Sequence, residues 1–358
     1  MTNKEKFSKF TDIKQFRGIV QNIVRIASFK GYDDVGEPIL EEPKLGSLPI
    51  LTFEYTTKIH GTNAGVSLDE DGNVFAMSRS RVITPGNDNA GFAAFVEKNK
   101  DWFKDILDFL FAKYKDKKVF LYGEWCGKGI QNNVAITKVD KRFVLFALKL
   151  QEKQVDEFEP EAYYVKLPKD ISAPERDIYN IREIGVNTID IDFNKPEIAQ
   201  NQLIKIVDEV EAECPVGKYF GVEGVGEGVV VAYYNDDDIR EHIFKVKGEK
   251  HAAKSGGKVK TLKPVDEKEI QRYRDFANSV CKEWRLDQMY NEVFDTLNGG
   301  KGDIKKTGDF IKAVINDVMK EEMDLIIKED FNIKSLNPLI AKISKEYLFS
   351  RLDKEAGL

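Results

Sequence analysis

The sequence has no long apolar run and few cysteines. No segment approaches the roughly 18 consecutive apolar residues that indicate a transmembrane helix, and the N-terminal residues MTNKEKFSKFTDIKQF lack the apolar core of a secretory signal. Three cysteines, Cys126, Cys214 and Cys281, lie far apart and form no CxxC pair. This spacing argues against a disulfide framework or a zinc cluster. We therefore expect a protein of a reducing cytoplasm without a membrane partner.

A strong charge of one sign is also missing. The net charge of −6 argues weakly against nucleic-acid binding, but the lysines are distributed unevenly. Residues 245–263 contain seven lysines, and their only acid is Glu249. This local excess fits either a phosphate-binding surface or a solvated linker, and composition alone does not choose between them.

Apolar periodicity divides the chain into two regions. Residues 10–30 show helical spacing, residues 50–150 resemble a series of short strands, a helix is predicted at residues 196–213, and strands return at EGVVVAYY and HIFKVKG. After Pro264 the period stays near 3.6, interrupted at Gly299-Gly300. We predict an α+β domain over residues 1–258 and an all-helical domain over residues 259–358.

The segment TTKIHGTNAGV contains the sharpest candidate for chemistry. Alternation along the predicted strand places Lys58 on the same face as Glu54 and Thr56, next to a glycine turn. A lysine there can attack phosphorus once it is deprotonated, which requires neighbouring cations. Taken alone, Lys-x-x-Gly more often marks a surface lysine before a turn.

The segment YGEWCGKGIQNNV places Glu124 at the end of the predicted strand VFLYGE. A carboxylate at a strand end can hold ribose hydroxyls or a metal ion, and the glycines nearby let the backbone approach a ligand. The alternative is a glycine-rich turn beside a solvated acid. A Walker motif is excluded because no GK[ST] follows.

Two later segments add an acid and a pair of lysines. In GEGVVVAYY, alternation predicts that Glu227 shares a face with Val229 and Val231 of a buried strand, where it is either salt-bridged or a ligand. In FKVKG, Lys245 and Lys247 share a face. A bound polyanion would relieve their repulsion, or they protect an edge strand. Together, these parts supply the nucleophile, acids and cations needed for a nucleoside triphosphate.

Six motifs, in their order along the chain, resemble those of the RNA ligase 2 family (bacteriophage T4 type) of the covalent nucleotidyltransferase superfamily. They are KIHGTN, SRSR, YGEWCGKGIQNNV, RFVLF, GEGVVV and FKVKG. The resemblance covers about residues 50–258, and the C-terminal helices resemble that family's helical domain. DNA ligases and capping enzymes have an OB-fold there. The resemblance implies an α+β adenylyltransferase domain of antiparallel sheets flanked by helices, followed by a small all-helical domain.

The resemblance also implies site residues. The implied catalytic residues are Lys58, His60, Lys245 and Lys247, with Lys58 as the nucleophile that forms lysyl-AMP. The implied nucleotide-binding residues are Thr57, Lys58, Ile59, Asn63, Arg79, Glu124, Phe146, Glu227, Lys245 and Lys247.

Several of these residues have a specific implied role. Glu124 would bind the ribose, Phe146 would stack on adenine, and Glu227 would be the metal ligand. Asn63 and Arg79 would contact phosphates. Thr57 departs from the family, in which a glutamate that reads adenine often precedes the nucleophile. From alternation alone, Phe146 could also be a core residue that shares a face with Arg142 and Val144.

The implied activity is ATP-dependent RNA ligation in RNA repair, which joins 5′-phosphate and 3′-hydroxyl ends through lysyl-AMP and adenylated RNA. It would use ATP and Mg²⁺ or Mn²⁺, and act on nicked duplexes or broken RNA ends, with DNA-containing strands as further candidates. Its location would be the cytoplasm, or the host cytoplasm for a phage protein. The alternatives are a DNA ligase or capping-type nucleotidyltransferase, and a non-catalytic protein that binds RNA ends.

Overall fold

The computed structural model describes residues 7–33, 35–41, 43–44, 46–115, 117–152, 161–251, 254–255, 258–259, 262–296 and 299–356. Their contacts define two compact units, one within Met1–Ile23 and Pro49–Pro264, the other within Val24–Leu48 and Val265–Leu358. Residues 252–253, 256–257 and 260–261 of the lysine-rich segment fall outside the described residues, and the domain boundary predicted after residue 258 stays a prediction. Among the described helices, none is long and apolar enough to cross a membrane.

The described strands, in chain order, are β1 (Lys14–Gln15), β2 (Phe29–Tyr32), β3 (Pro38–Leu40), β4 (Ile50–Thr57), β5 (Thr62–Leu68), β6 (Val74–Ser78), β7 (Val82–Ile83), β8 (Lys117–Cys126), β9 (Arg142–Glu152), β10 (Ala162–Val165), β11 (Ile178–Asn180), β12 (Asn187–Asp192), β13 (Gly228–Tyr234), β14 (Arg240–Lys247), β15 (Lys254–Ser255) and β16 (Lys258–Val259). One sheet of the first unit has the order β1-β14-β13-β4-β12. The other has the order β10-β9-β8-β5-β6-β7, with β11 beside β9. Within these two sheets, neighbours are antiparallel except β1–β14 and β11–β9.

The described α-helices are Phe16–Ser28, Phe92–Lys98, Lys100–Lys113, Ile181–Ile184, Pro196–Ala212, Pro215–Tyr219, Glu267–Val280, Glu283–Phe294, Thr307–Glu321, Met323–Lys328 and Ile333–Ala356. The helices predicted near residues 10–30 and at 196–213 are confirmed. So is the α+β class, with antiparallel sheets flanked by helices and a helical C-terminal region.

The prediction of short strands throughout residues 50–150 is wrong between β7 and β8. Two helices occupy this part, and they bury Phe92, Val96, Phe103 and Leu107 against the second sheet at helical spacing. The carboxylate of Asp88 accepts hydrogen bonds from the backbone N–H groups of residues 93 and 94, at 2.7 and 3.0 Å. These first-turn N–H groups have no partner within a helix, so the acid stabilises the helix start.

A bulge interrupts the pairing of β8 with β9. Tyr122 pairs with Ala147, whereas the next residue, Gly123, pairs with Leu145. Phe146 therefore has no paired residue in β8. An extra residue in one strand changes the direction of the side chains that follow it, and bulges commonly occur beside functional sites. The simple alternation that grouped Phe146 with Arg142 and Val144 does not continue through this point.

The helical unit has its own apolar core. Phe310, Val314, Leu336, Ile340 and Leu348 are completely buried in it. Within the same unit, the buried guanidinium of Arg285 lies 3.0 Å from Asp317 and 2.8 Å from Glu322. The region after Pro264 therefore has the packed interior that its 3.6-residue period predicts.

We predict that Gly123→Ala destabilises the first unit. A Cβ at this position would lie 2.5 Å from the Phe143 ring and 2.6 Å from the Val144 carbonyl oxygen. Overpacking of this kind costs about 1–3 kcal/mol. Urea unfolding followed by tryptophan fluorescence measures the loss. Gly185→Ala is the matched control, because nothing lies within 4 Å of its Cβ position; equal stability of the two variants would contradict the prediction.

Candidate active site

The predicted nucleophile lies immediately after β4. The backbone N–H of Lys58 donates to the carbonyl of Gly228 at 2.8 Å and thereby continues the pairing of β4 with β13. Its side chain is 19% exposed, and its ammonium group lies 2.7 Å from Oε2 of Glu227. The strand end therefore presents the lysine to a buried acid rather than to open solvent, unlike a surface lysine before a turn.

Glu227 is shared by three side chains. Its Oε2 contacts Lys58 and lies 3.1 Å from Nδ1 of His60, and its Oε1 lies 2.5 Å from Nζ of Lys247. Burial would raise the pKa of Glu227, but the hydrogen bonds and charges of these neighbours hold it well below its usual range. An ionised carboxylate only accepts hydrogen bonds. His60 must therefore donate from Nδ1, which fixes the tautomer of its neutral form.

The predicted orientation of Glu227 is wrong in one respect. Its side chain lines a cavity together with Val230 and Ala232, whereas Val229 and Val231 are buried and do not line that cavity. Gly228 is the physical reason, because its φ of 142° lies in a region that favours glycine. The period-2 alternation of β13 consequently begins after Gly228 and does not include the acid.

The cavity has a volume of about 420 Å³. Residues from β4, β13 and β14 of one sheet and from β5, β8 and β9 of the other line it. It brings together every predicted site residue: Thr57, Lys58, Ile59, His60, Asn63, Arg79, Glu124, Phe146, Glu227, Lys245 and Lys247.

Glu124 is the second acid of the cavity. It accepts a hydrogen bond from the backbone N–H of Gly61 at 2.9 Å. Burial raises the pKa of Glu124 to about 7, although the charge of Lys58 opposes this shift. The two acids therefore differ in charge below neutral pH, since Glu227 is ionised and Glu124 is largely protonated.

The lysine pair of β14 faces the same space. Burial lowers the pKa of Lys245, and the charges of Lys247 and Lys58 lower it further. At Lys245 the strand is paired on both sides, with Gln15 of β1 and Val230 of β13. This pairing excludes the edge-strand alternative at that residue and leaves a cationic surface inside the cavity.

The N-terminal segment from Phe10 to Ile13 also lines the cavity, although its sequence indicates no functional role. The Phe10 ring centroid lies 5.2 Å from that of Phe146, and a carboxylate oxygen of Asp12 lies 3.8 Å from Arg79. Both contacts join residues far apart in the chain. The only local signal was an aromatic residue in the polar stretch SKFTD, which is insufficient to place it.

Further polar residues of the cavity were also missed. Arg182 contacts the carboxylate of Glu54 with both terminal nitrogens, and the guanidinium of Arg240 lies 3.8 Å from the Tyr164 ring centroid. Nη2 of Arg240 and Nε of Arg182 are buried without a hydrogen-bond partner in the described structure. The lining of the cavity therefore includes these two arginines in addition to the lysines of β14.

A metal ion at this site would need oxygen ligands from a bound nucleotide in addition to those of the protein. Among the described residues, no group of three or more His, Cys, Asp or Glu side chains could hold a metal. Mg²⁺ is commonly held by one or two carboxylates together with substrate phosphates and water. Glu227 fits such a site once a nucleotide supplies the remaining oxygens.

Comparison with protein families gives one decisive match. The model of the RNA ligase family matches residues 51–247, more than half of the chain. The chain belongs to the RNA ligase family. Every predicted site residue, from Thr57 to Lys247, lies within the matched range. A search of curated proteins gave no match.

Solved structures of an RNA ligase from Naegleria gruberi are also similar. The structure with PPi has 18% identity and a TM-score of 0.39, and a mutant with ATP and Mn has 18% identity and a TM-score of 0.38. A mutant with AMP and Mn has 17% identity and a TM-score of 0.38. Each match covers 68% of this chain and 57% of the other, so this RNA ligase family member spans little more than half the length of those proteins.

We predict that Glu124→Gln changes how stability depends on pH. The pKa of Glu124 is raised from 4.5 to about 7 in the folded protein. Its protonated form is therefore favoured by folding, and the resulting stability is lost as pH rises from about 5 to about 7. The free energy of unfolding of the wild type, relative to the variant, should fall by about 2–3 kcal/mol between pH 5 and pH 8.

Urea unfolding at both pH values measures this difference. Glu249→Gln is the control, since residue 249 is exposed. Parallel pH dependence of the wild type and Glu124→Gln would show that Glu124 titrates near its ordinary pKa.

Proposed function

We propose that this RNA ligase family member is an ATP-dependent RNA ligase that forms lysyl-AMP on Lys58. The observation that carries the proposal is the contact between Lys58 and the buried, ionised Glu227, in a cavity that also contains Lys245 and Lys247. A nucleophile, a fixed acid and two phosphate-binding cations are the groups that adenylyl transfer requires.

In the first step, Nζ of Lys58, after losing a proton, attacks the α-phosphorus of ATP. The N–P bond forms as the bond to pyrophosphate breaks. Lys245 and Lys247 neutralise the phosphate charge in the transition state. A divalent cation held by Glu227 and the phosphates would supply further charge neutralisation.

In the second and third steps, the adenylate is used for ligation. AMP moves from Lys58 to the 5′-phosphate of RNA, so that the N–P bond breaks and a phosphoanhydride forms. A 3′-hydroxyl then attacks that 5′-phosphate, AMP leaves, and a phosphodiester results. His60 and Arg79 line the same cavity, where they can contact the transferred groups.

The other predicted residues have proposed binding roles. Glu124 would bind ribose, Phe146 would stack on adenine, and Asn63 would orient phosphates. Thr57 and Ile59 flank the nucleophile, and we propose that their backbone groups contact the base, since neither side chain carries a carboxylate.

The proposed substrate is RNA with a nick or a break, with DNA-containing strands as a further class, and the proposed location is the cytoplasm. Residues 1–258 would form the adenylyltransferase domain and residues 259–358 the domain that positions RNA. The family match and the helices after Pro264 favour an RNA ligase over a DNA ligase or capping enzyme.

Lys58→Ala is expected to abolish transfer of label from α-labelled ATP to the protein, because the covalent nucleophile is lost. Pre-adenylated RNA should partly restore ligation by this variant, since the first two steps are then bypassed. Denaturing electrophoresis measures both products. Lys98→Ala, at an exposed lysine, is the control; full labelling of Lys58→Ala would refute the assignment.

Phe146→Leu is expected to raise the ATP concentration that gives half-maximal labelling by about tenfold, because stacking of a base on an aromatic ring contributes about 1–3 kcal/mol. Phe143→Leu is the matched control in the same strand, since this side chain is completely buried and does not line the cavity. It should lower stability and leave the ATP requirement unchanged. The reverse pattern would identify Phe146 as a core residue only.

A further inference from the structure

The turn that follows β14 is tied to the end of a helix. Glu211 is buried near the end of helix Pro196–Ala212, and its carboxylate accepts a hydrogen bond from the backbone N–H of Lys250 at 2.9 Å. The oxygen that accepts this hydrogen bond, Oε1 of Glu211, also lies 3.8 Å from Nδ1 of His251. At Gly248 a Cβ would lie only 2.1 Å from this oxygen. The approach of the turn to Glu211 thus requires a glycine, and it fixes the backbone just before His251.

This anchored turn brings His251 against His60. The ring centroids are 5.7 Å apart, and the planes make an angle of 63°, so the two rings meet edge to face. The side chain of His251 is 12% exposed, whereas that of His60 is 28% exposed and lines the cavity. The ring of His251 therefore packs behind His60, whose side chain can contact a ligand in the cavity.

A single hydrogen bond does not fix the plane of an imidazole. His60 is held by its Nδ1 contact with Glu227, about which the ring can still turn. A second ring packed against it removes that freedom. Nδ1 of His251 is buried and has no hydrogen-bond partner in the described structure. The contact of His251 with His60 is therefore one of ring packing.

Charge does not oppose this arrangement. Burial lowers the pKa of His251 from 6.5, and the ring is therefore neutral near pH 7. A neutral ring adds no positive charge beside Lys58, His60 and Lys247, which already surround Glu227.

We propose that His251, held in place by Glu211, is a positioning residue that fixes the ring of His60 against Glu227 for adenylyl transfer. The inference rests on the proposed function and adds a residue pair outside the predicted site. Misplacement of a catalytic group by a fraction of an ångström or more slows a reaction without requiring a change in substrate affinity.

The first test uses the full-length chain and single-turnover labelling by α-labelled ATP. His251→Ala should lower the maximal rate by about tenfold and leave the half-saturating ATP concentration unchanged. His251→Phe should recover most of the rate, because a phenyl ring supplies the same packing surface. Glu249→Ala is the matched control in the same turn, at an exposed residue.

Three outcomes would overturn the positioning role: a wild-type rate for His251→Ala, a rate for His251→Phe as low as that for His251→Ala, or a loss expressed as weaker ATP binding. Absence of label on the wild-type protein would instead refute the proposed function. The two failures are therefore distinguishable.

The second test is a double-mutant cycle with His60→Ala. If His251 acts through His60, the change His251→Ala should cause no further loss of rate once His60 is removed. A further tenfold loss in the double variant would show an independent contribution and overturn the proposal. Glu211→Gln, which keeps an acceptor oxygen for the Lys250 N–H, should retain the wild-type rate, whereas Glu211→Ala should lose it to the same extent as His251→Ala.

Discussion

The buried carboxylate of Glu227 is the interaction on which the rest of this site depends. A charge removed from water is costly unless it is paired, and loss of one partner of such a pair costs about 3–5 kcal/mol. Here Lys58, His60 and Lys247 share one carboxylate, and together with Glu227 itself they come from three different segments. Pairing of β13 with β4 and with β14 brings these segments together, since Gly228 lies opposite Lys247 and its carbonyl accepts from the Lys58 N–H. The register of one sheet therefore builds the charge cluster.

Much of the architecture follows from periodicity. The apolar stripe at residues 196–213 predicts the helix that later supplies Glu211, and the 3.6-residue period after Pro264 predicts a helical region with its own core. Period-2 alternation correctly places Lys245 and Lys247 on the cavity side of β14. These signals succeed because each depends on a regular backbone, in which the direction of a side chain is set by position alone. The helices between β7 and β8 carried the same 3.6-residue signal in Phe92, Val96 and Phe103, which the prediction of strands overlooked.

The remaining features could not be predicted because they depend on irregular backbone or on contacts distant in the chain. Gly228 interrupts the alternation and turns Glu227 towards the cavity. The bulge opposite Gly123 leaves Phe146 without a paired residue in β8. Strict alternation of side-chain directions along β9 is therefore broken at this residue. Phe10 reaches the cavity through aromatic contacts with Tyr122 and Phe146, more than a hundred residues away. Local patterns report local geometry, so such positions become visible only once the sheets are assembled.

The different environments of Glu227 and Glu124 give the cavity a charge suited to a polyphosphate. If both acids were ionised, they would offset two of the cations that line the cavity. Burial instead keeps Glu124 largely protonated below about pH 7, whereas Glu227 stays ionised. The cluster of Lys58, Lys245 and Lys247 therefore retains excess positive charge before a ligand arrives. Hydrogen bonds donated by a ligand hydroxyl favour the ionised form of a carboxylate. A nucleotide whose ribose donates to Glu124 would thus promote release of its proton, and the binding affinity and the charge of this acid would be linked.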